Sequence, residues 1–210
     1  MLSIAFVNAK PGTGKTTSAV WLAHAFREAG HPVVLVDADP AESALEWSDQ
    51  TDGFPFQLAP MPSKNLDKRI RDYINPDDVV IVDSPQLEDS PGIARAVLRF
   101  ADEVVVPCAP TTIEIARTVP VLGAINDVNA ERAVPARCCA LLNRTITNAN
   151  STSVAREALT AAGFAVLGMT VPRLELFAQS FGAPVQSAGP IWQVIAGELA
   201  SRAELAEVTR

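Results

Sequence analysis

The chain has 210 residues, of which 48% are hydrophobic and 20% charged, with a formal net charge of −7. That composition supports a sizeable core and excludes a disordered chain, and the acidic balance excludes a surface coated in positive potential while leaving room for a local basic patch. No run approaches the ~20 apolar residues of a membrane-spanning helix, and the opening run carries no basic leader, so no signal peptide is predicted.

Strand-like and helix-like segments alternate along the chain. Residues 3–8 form an apolar run of strand length, followed by a glycine-bearing loop and a helix over 16–29. Residues 33–37 (Val-Val-Leu-Val-Asp) and 79–83 (Val-Val-Ile-Val-Asp) are continuous apolar runs, the pattern of strands buried on both faces. Between them the sequence predicts a short helix over 41–50, a minor strand over 56–59 and a basic amphipathic helix over 64–74, closed by Asn75-Pro76. A helix over 93–100 and a strand over 103–107 follow, then a helix over 112–128 with Pro120 inside it as a predicted kink or break. A strand over 138–143, a helix over 151–162 ended by Gly163, a short strand over 165–168 and a last helix from 191 to about 207 complete the chain. This alternation predicts one α/β domain over 1–210, a mostly parallel twisted sheet with helices on both faces. The three cysteines are Cys108, Cys138 and Cys139, with no C-x-x-C pair. They are expected in the core of a cytoplasmic protein, without a disulfide framework or a zinc or iron–sulfur site.

The segment Ala9-Lys10-Pro11-Gly12-Thr13-Gly14-Lys15-Thr16-Thr17 lies between a strand and a helix, the context of a phosphate loop. Backbone N–H groups of such a loop and of the helix N-terminus converge on nucleotide phosphates, and Gly12 and Gly14 give room for the close approach. Lys15 would sit on the β- and γ-phosphates, the Thr16 hydroxyl on Mg²⁺, and Thr17 on a phosphate oxygen nearer the base. Pro11 and Thr13 complete the expected nucleotide contacts. Asp83 ends an apolar strand, as the aspartate of a Walker B element does when it holds Mg²⁺ through water. Asn143 also closes a strand, with an amide able to make paired hydrogen bonds to adenine.

A strict G-x-x-x-x-G-K-[ST] match fails at Ala9, but Lys10 stands five residues before Lys15. That spacing resembles the deviant Walker A motif of the ParA/MinD family of P-loop ATPases. The element Asp37-Ala38-Asp39-Pro40 and its continuation to Trp47 look closest to the short plasmid-type ParA partition proteins. The resemblance implies a slow, partner-stimulated ATP hydrolase using ATP and Mg²⁺, in which Lys10 crosses a nucleotide-sandwich homodimer to the partner's phosphates. It implies that Asp39 positions the attacking water, with Asp37 supporting the Mg²⁺ shell or sharing that role. An N-cap role for Asp39 ahead of Pro40 is compatible with this. Val171-Pro172-Arg173 resembles the segment flanking the base, which makes Pro172 a base contact. Pro11 departs from the glycine usual in the family and should alter the loop modestly.

The resemblance further implies non-specific DNA binding by the ATP-bound dimer, a nucleoid-associated cytoplasmic location and a ParB-like or other cargo-adaptor partner. Arg156, Arg173 and Arg202 are the candidate DNA contacts, though none belongs to a basic run. With no segment ahead of the first strand, no helix-turn-helix and no operator-specific autoregulation are expected. Two other readings share the motif. A MinD-like membrane-positioning ATPase would call for a basic amphipathic C-terminal helix, whereas Ile191, Ile195 and Leu199 read as packing residues among Glu198, Glu204 and Glu207. An ATP-dependent synthetase of the dethiobiotin or cobyrinate type would not require Lys10.

Overall fold

The computed structural model describes residues 1–208, with side chains described through Leu205. Eight strands form its sheet: β1 (Leu2–Phe6), β2 (Val33–Asp37), β3 (Gln57–Pro60), β4 (Val79–Asp83), β5 (Glu103–Cys108), β6 (Arg137–Thr145), β7 (Ala165–Val166) and β8 (Val171–Pro172). Their order is β3-β2-β4-β1-β5-β6-β7, with β8 also pairing β6, and every pairing is parallel. The helices are α1 (Lys15–Glu28), α2 (Ser43–Gln50), α3 (Leu66–Arg69), α4 (Pro91–Phe100), α5 (Thr112–Asn129), α6 (Ser151–Ala161), α7 (Glu175–Ala178) and α8 (Gly189–Val208).

The apolar runs of the central strands follow from burial on both sides. Ala5, Val34, Val36, Val80 and Val82 face the layer of α3, α4, α5 and α6, whereas Ile4, Phe6, Leu35 and Ile81 face α1, α2 and α8. Helix α1, which leaves β1, therefore lies on the face opposite α4 and α5, which leave the flanking strands β4 and β5. Such divergence opens a crevice at the carboxyl ends of the strands, where ligands of open α/β sheets bind.

Three expectations need correction. Pro120 neither breaks nor ends its helix, for α5 runs unbroken to Asn129, with Thr118, Val121, Ile125 and Val128 buried along one face. The helix expected over 64–74 shrinks to α3 plus a 3-10 turn at Ile70–Asp72, because only Leu66 and Ile70 are buried there. The strand expected over 165–168 has two residues. Strand β8 and helix α7 lie where no element is predicted; each is too short to show a period.

Candidate nucleotide site

The loop from β1 to α1 turns through two left-handed glycines, Gly12 at φ 70° and Gly14 at φ 93°. Gly14 admits no side chain: a Cβ there would lie 2.4 Å from Nδ2 of Asn143. It also caps α1 without any side-chain hydrogen bond, which leaves the positive end of a long helix open to an anion. Lys15 is buried beneath the loop, its Nζ donating to the carbonyl of Lys10 at 3.4 Å. Burial pushes its pKa down, against the upward pulls of Asp83, Asp39 and Asp89. Lys10 points outward and forms an ion pair with Glu88 on the loop after β4. Pro11 is exposed on the outer bend, and Thr13 is buried behind it.

The acidic residues divide their roles. Asp37 is fully buried, and its Oδ2 accepts from the N–H groups of Ala44 at 2.9 Å and Leu45 at 3.0 Å, in the first turn of α2. Its Oδ1 accepts from Asp39 N–H at 3.2 Å. These three bonds make Asp37 an anchor for α2 and leave about one of its roughly four acceptor sites for the expected Mg²⁺ or water contact. The N-cap reading of Asp39 needs correction, because α2 begins at Ser43; that side chain instead accepts from Ala41 N–H at 3.0 Å and stays half-buried beside the loop.

Asp83 is the opposite case. It too is fully buried, yet neither carboxylate oxygen has a hydrogen-bond partner of ordinary geometry among the described residues. Burial pushes its pKa up to about 7, with the facing Thr16 hydroxyl and, more weakly, the Lys15 ammonium pulling it down. A buried carboxylate without donors, facing a threonine hydroxyl at a helix N-terminus, is a donor set for a hard cation such as Mg²⁺. Thr16 and Asp83 fit that ion.

Beyond the loop a cavity of about 780 Å³ extends under β6 and β8, lined among others by Gly14, Thr17, Thr111, Asn143, Arg144 and Pro172. Its size suits a nucleoside. Asn143 and Pro172 are thus on its wall, but Nδ2 of Asn143 donates to the Thr13 carbonyl at 3.2 Å and its Oδ1 accepts from Arg144 N–H at 2.8 Å. Arg144, which sequence reasoning missed, donates to the Gly12 carbonyl at 2.6 Å.

The three arginines proposed for DNA part company. The Arg156 guanidinium binds the carbonyls of Val166, Leu167 and Gly168. Arg202 binds the buried Glu103 at 2.7 Å, beside Arg137 at 2.7 Å. Both are engaged inside the subunit and only partly exposed, which weakens them as the expected DNA contacts. Arg173 is exposed at the rim of the cavity.

A parallel α/β sheet whose first strand leads through a lysine-bearing glycine loop into a helix defines a P-loop nucleotide-binding protein. The chain belongs to the CobQ/CobB/MinD/ParA nucleotide binding domain family, whose profile matches residues 4–185. A relative from Gloeobacter kilaueensis, maintenance of carboxysome distribution protein A, is 40% identical over 114 residues, 54% of this chain and 51% of that protein. In that match the chain spans about half the length of its relative. Among solved structures, the ATP complex of Cyanothece McdA(D38A) superposes with a TM-score of 0.75 at 15% identity, over 97% of this chain and 96% of that one. Cobyrinic acid a,c-diamide synthase from Mycobacterium smegmatis, with an ATP analogue and magnesium, gives a TM-score of 0.70 at 21% identity, over 98% of this chain and 94% of that one. These two likenesses show the fold.

Proposed function

We propose that the chain is a ParA-type ATPase that positions a cargo, binding MgATP between two copies of itself and hydrolysing it slowly. The observation that carries this reading is the pair of lysines in one loop. Lys15 is turned inward under the loop, and Lys10 is turned outward to the surface. A loop serving one subunit's phosphates needs the first lysine only; the second suits a site completed by a second copy. In this reading Lys15 neutralises the β- and γ-phosphates, and the N-terminus of α1 supplies backbone donors. Thr16 and Asp83 would hold Mg²⁺, which would supply positive charge against the charge developing on the γ-phosphoryl group. Asp39, half-buried and beside the loop, orients the attacking water, while Thr17, Asn143 and Pro172 line the nucleoside cavity.

The similarity to a carboxysome distribution protein supports a cargo-positioning role, while an adaptor protein that stimulates hydrolysis rests on the family resemblance. Non-specific DNA binding by the ATP-bound dimer, and with it a nucleoid-associated cytoplasmic location, rest on the family resemblance, with Arg173 as the exposed candidate contact. A MinD-like membrane role is disfavoured because Ile195 and Leu199 of α8 are buried against the domain. The synthetase reading leaves the outward Lys10 without a role.

The test is size-exclusion chromatography with ATP and with ADP, followed by binding to random duplex DNA across salt concentrations. ATP-specific dimers with salt-sensitive DNA binding are expected. A monomer with both nucleotides, or phosphorylation of a small molecule, would refute the reading.

A further inference from the structure

We infer that Arg144 is a positioning residue of the nucleotide site, which orients the phosphate loop by holding the Gly12 carbonyl. The inference rests on the nucleotide-binding reading above and deepens it. Asn143 and Arg144 are neighbours at the end of β6, and they bind the consecutive carbonyls of Thr13 and Gly12. A trans peptide is planar, so its C=O and N–H point in opposite directions. Drawing the Gly12 and Thr13 oxygens toward β6 therefore turns the Thr13 and Gly14 N–H groups away from β6. Neither N–H has a hydrogen-bond partner among the described residues. The two donors are thus held ready for an anion, and the oxygens that would repel one are neutralised by an amide and a guanidinium.

The backbone of β6 is bent to make this contact. Its pairing with β8 shifts register between Asn143 and Thr145, so Arg144 stands at a bulge. Arg144 there adopts φ 56°, a left-handed conformation that a non-glycine residue adopts at a cost. Bulges re-aim side chains, often beside active sites. This one carries the guanidinium out of the strand and across to the phosphate loop, 132 positions away in sequence.

The left-handed backbone supplies an unusually clean experiment, because Arg144→Gly removes the guanidinium and relieves the strained conformation together. In nucleotide-free protein, Arg144→Gly should keep or raise the melting temperature while the backbone NMR order parameters of the Thr13 and Gly14 amides fall. Calorimetric affinities for ATP and ADP should fall three- to tenfold, with Arg144→Lys intermediate. Unchanged order parameters, affinities within twofold of the parent, or a lowered melting temperature would each overturn the proposal. Lys15→Ala serves as the reference. If the parent protein and this variant bind ATP and ADP equally poorly, the nucleotide reading fails, while the order parameters still test the brace itself.

Discussion

Asp37 and Asp83 stand opposite each other in register at the ends of adjacent parallel strands, yet one carboxylate holds three backbone N–H groups and the other holds none. The first is an anchor for α2, and the second is left without a backbone donor. Replacing them should therefore have opposite signatures. Asp37→Asn should cost about 1–3 kcal/mol of stability, because charge-assisted bonds at a buried site are lost. Asp83→Asn should leave the melting temperature unchanged or higher and abolish the gain in ATP affinity that Mg²⁺ confers. Thermal melts and calorimetry with Mg²⁺ or EDTA check both.

Asp39→Ala should leave nucleotide binding and ATP-driven dimers intact and lower hydrolysis by roughly 10²-fold or more, the usual weight of a group that positions or activates a nucleophile. Phosphate release alongside size-exclusion chromatography separates the two properties. Normal turnover in this variant would remove Asp39 from the chemistry.

The Lys10–Glu88 pair is partly exposed and joins two loops that are already linked by the bond from Leu87 N–H to the Asn8 carbonyl. Exposed ion pairs contribute up to about 1 kcal/mol, so Glu88→Gln should leave folding unchanged and move dimer affinity by no more than about fivefold. Lys10→Ala should bind ATP as a monomer and fail to dimerise. Sedimentation of both variants with ATP reads the difference, and stable Lys10→Ala dimers would end the cross-subunit role of this lysine.

His24 of α1 is buried against Phe54 and Phe56, with ring centroids 5.8 and 4.9 Å away, and its Nε2 has no partner among the described residues. Burial pushes its pKa down to about 4, against a pull upward from Glu28. An unfolded histidine takes up its proton near 6.5 (about that value in model peptides), so below it the unfolded chain binds more protons than the native one. Stability is then full above the unfolded value and is lost as pH falls toward and through about 4, by on the order of 2–3 kcal/mol. Asp37, raised by burial to about 6, contributes a slope of the opposite sign below that pH. His24→Phe should therefore flatten the acid limb of a plot of melting temperature against pH.

Glu103, with no exposed surface, is held by Arg137 and by both Nε and Nη2 of Arg202. Arg202→Ala should destabilise the protein by about 3 kcal/mol, since it leaves a buried carboxylate short of one partner. Denaturant titration measures it, and Glu103→Gln combined with Arg202→Ala should recover part of the loss.

The strands nearest the site were the most legible. β2 and β4 are covered on both faces, so every residue before their terminal aspartates had to be apolar, and the phosphate loop declared itself by its lysine and glycines. What escaped reading depends on contacts far apart in sequence. Arg144 looks like any loop arginine, because nothing in a residue's identity announces a left-handed backbone unless it is glycine. Arg156 and Arg202 looked free because their acceptors, the 166–168 carbonyls and Glu103, come near only through folding. The division of labour between Asp37 and Asp39 likewise rests on where α2 begins, at Ser43 and not two residues earlier.

The Glu103 clasp has a mechanical consequence. It ties α8 to β5 and β6, while Glu28 at the end of α1 accepts from Ala188 N–H at 2.7 Å, just before α8 begins. Helix α1 starts at the phosphate loop, and it packs along α8. A load applied to the last helix would reach the loop along two stiff routes, one through α1 and one through β6 and its terminal Asn143-Arg144 pair. An optical-trap tether on α8 would therefore pull on the nucleotide grip itself, and bound nucleotide should raise the force at which that helix peels away.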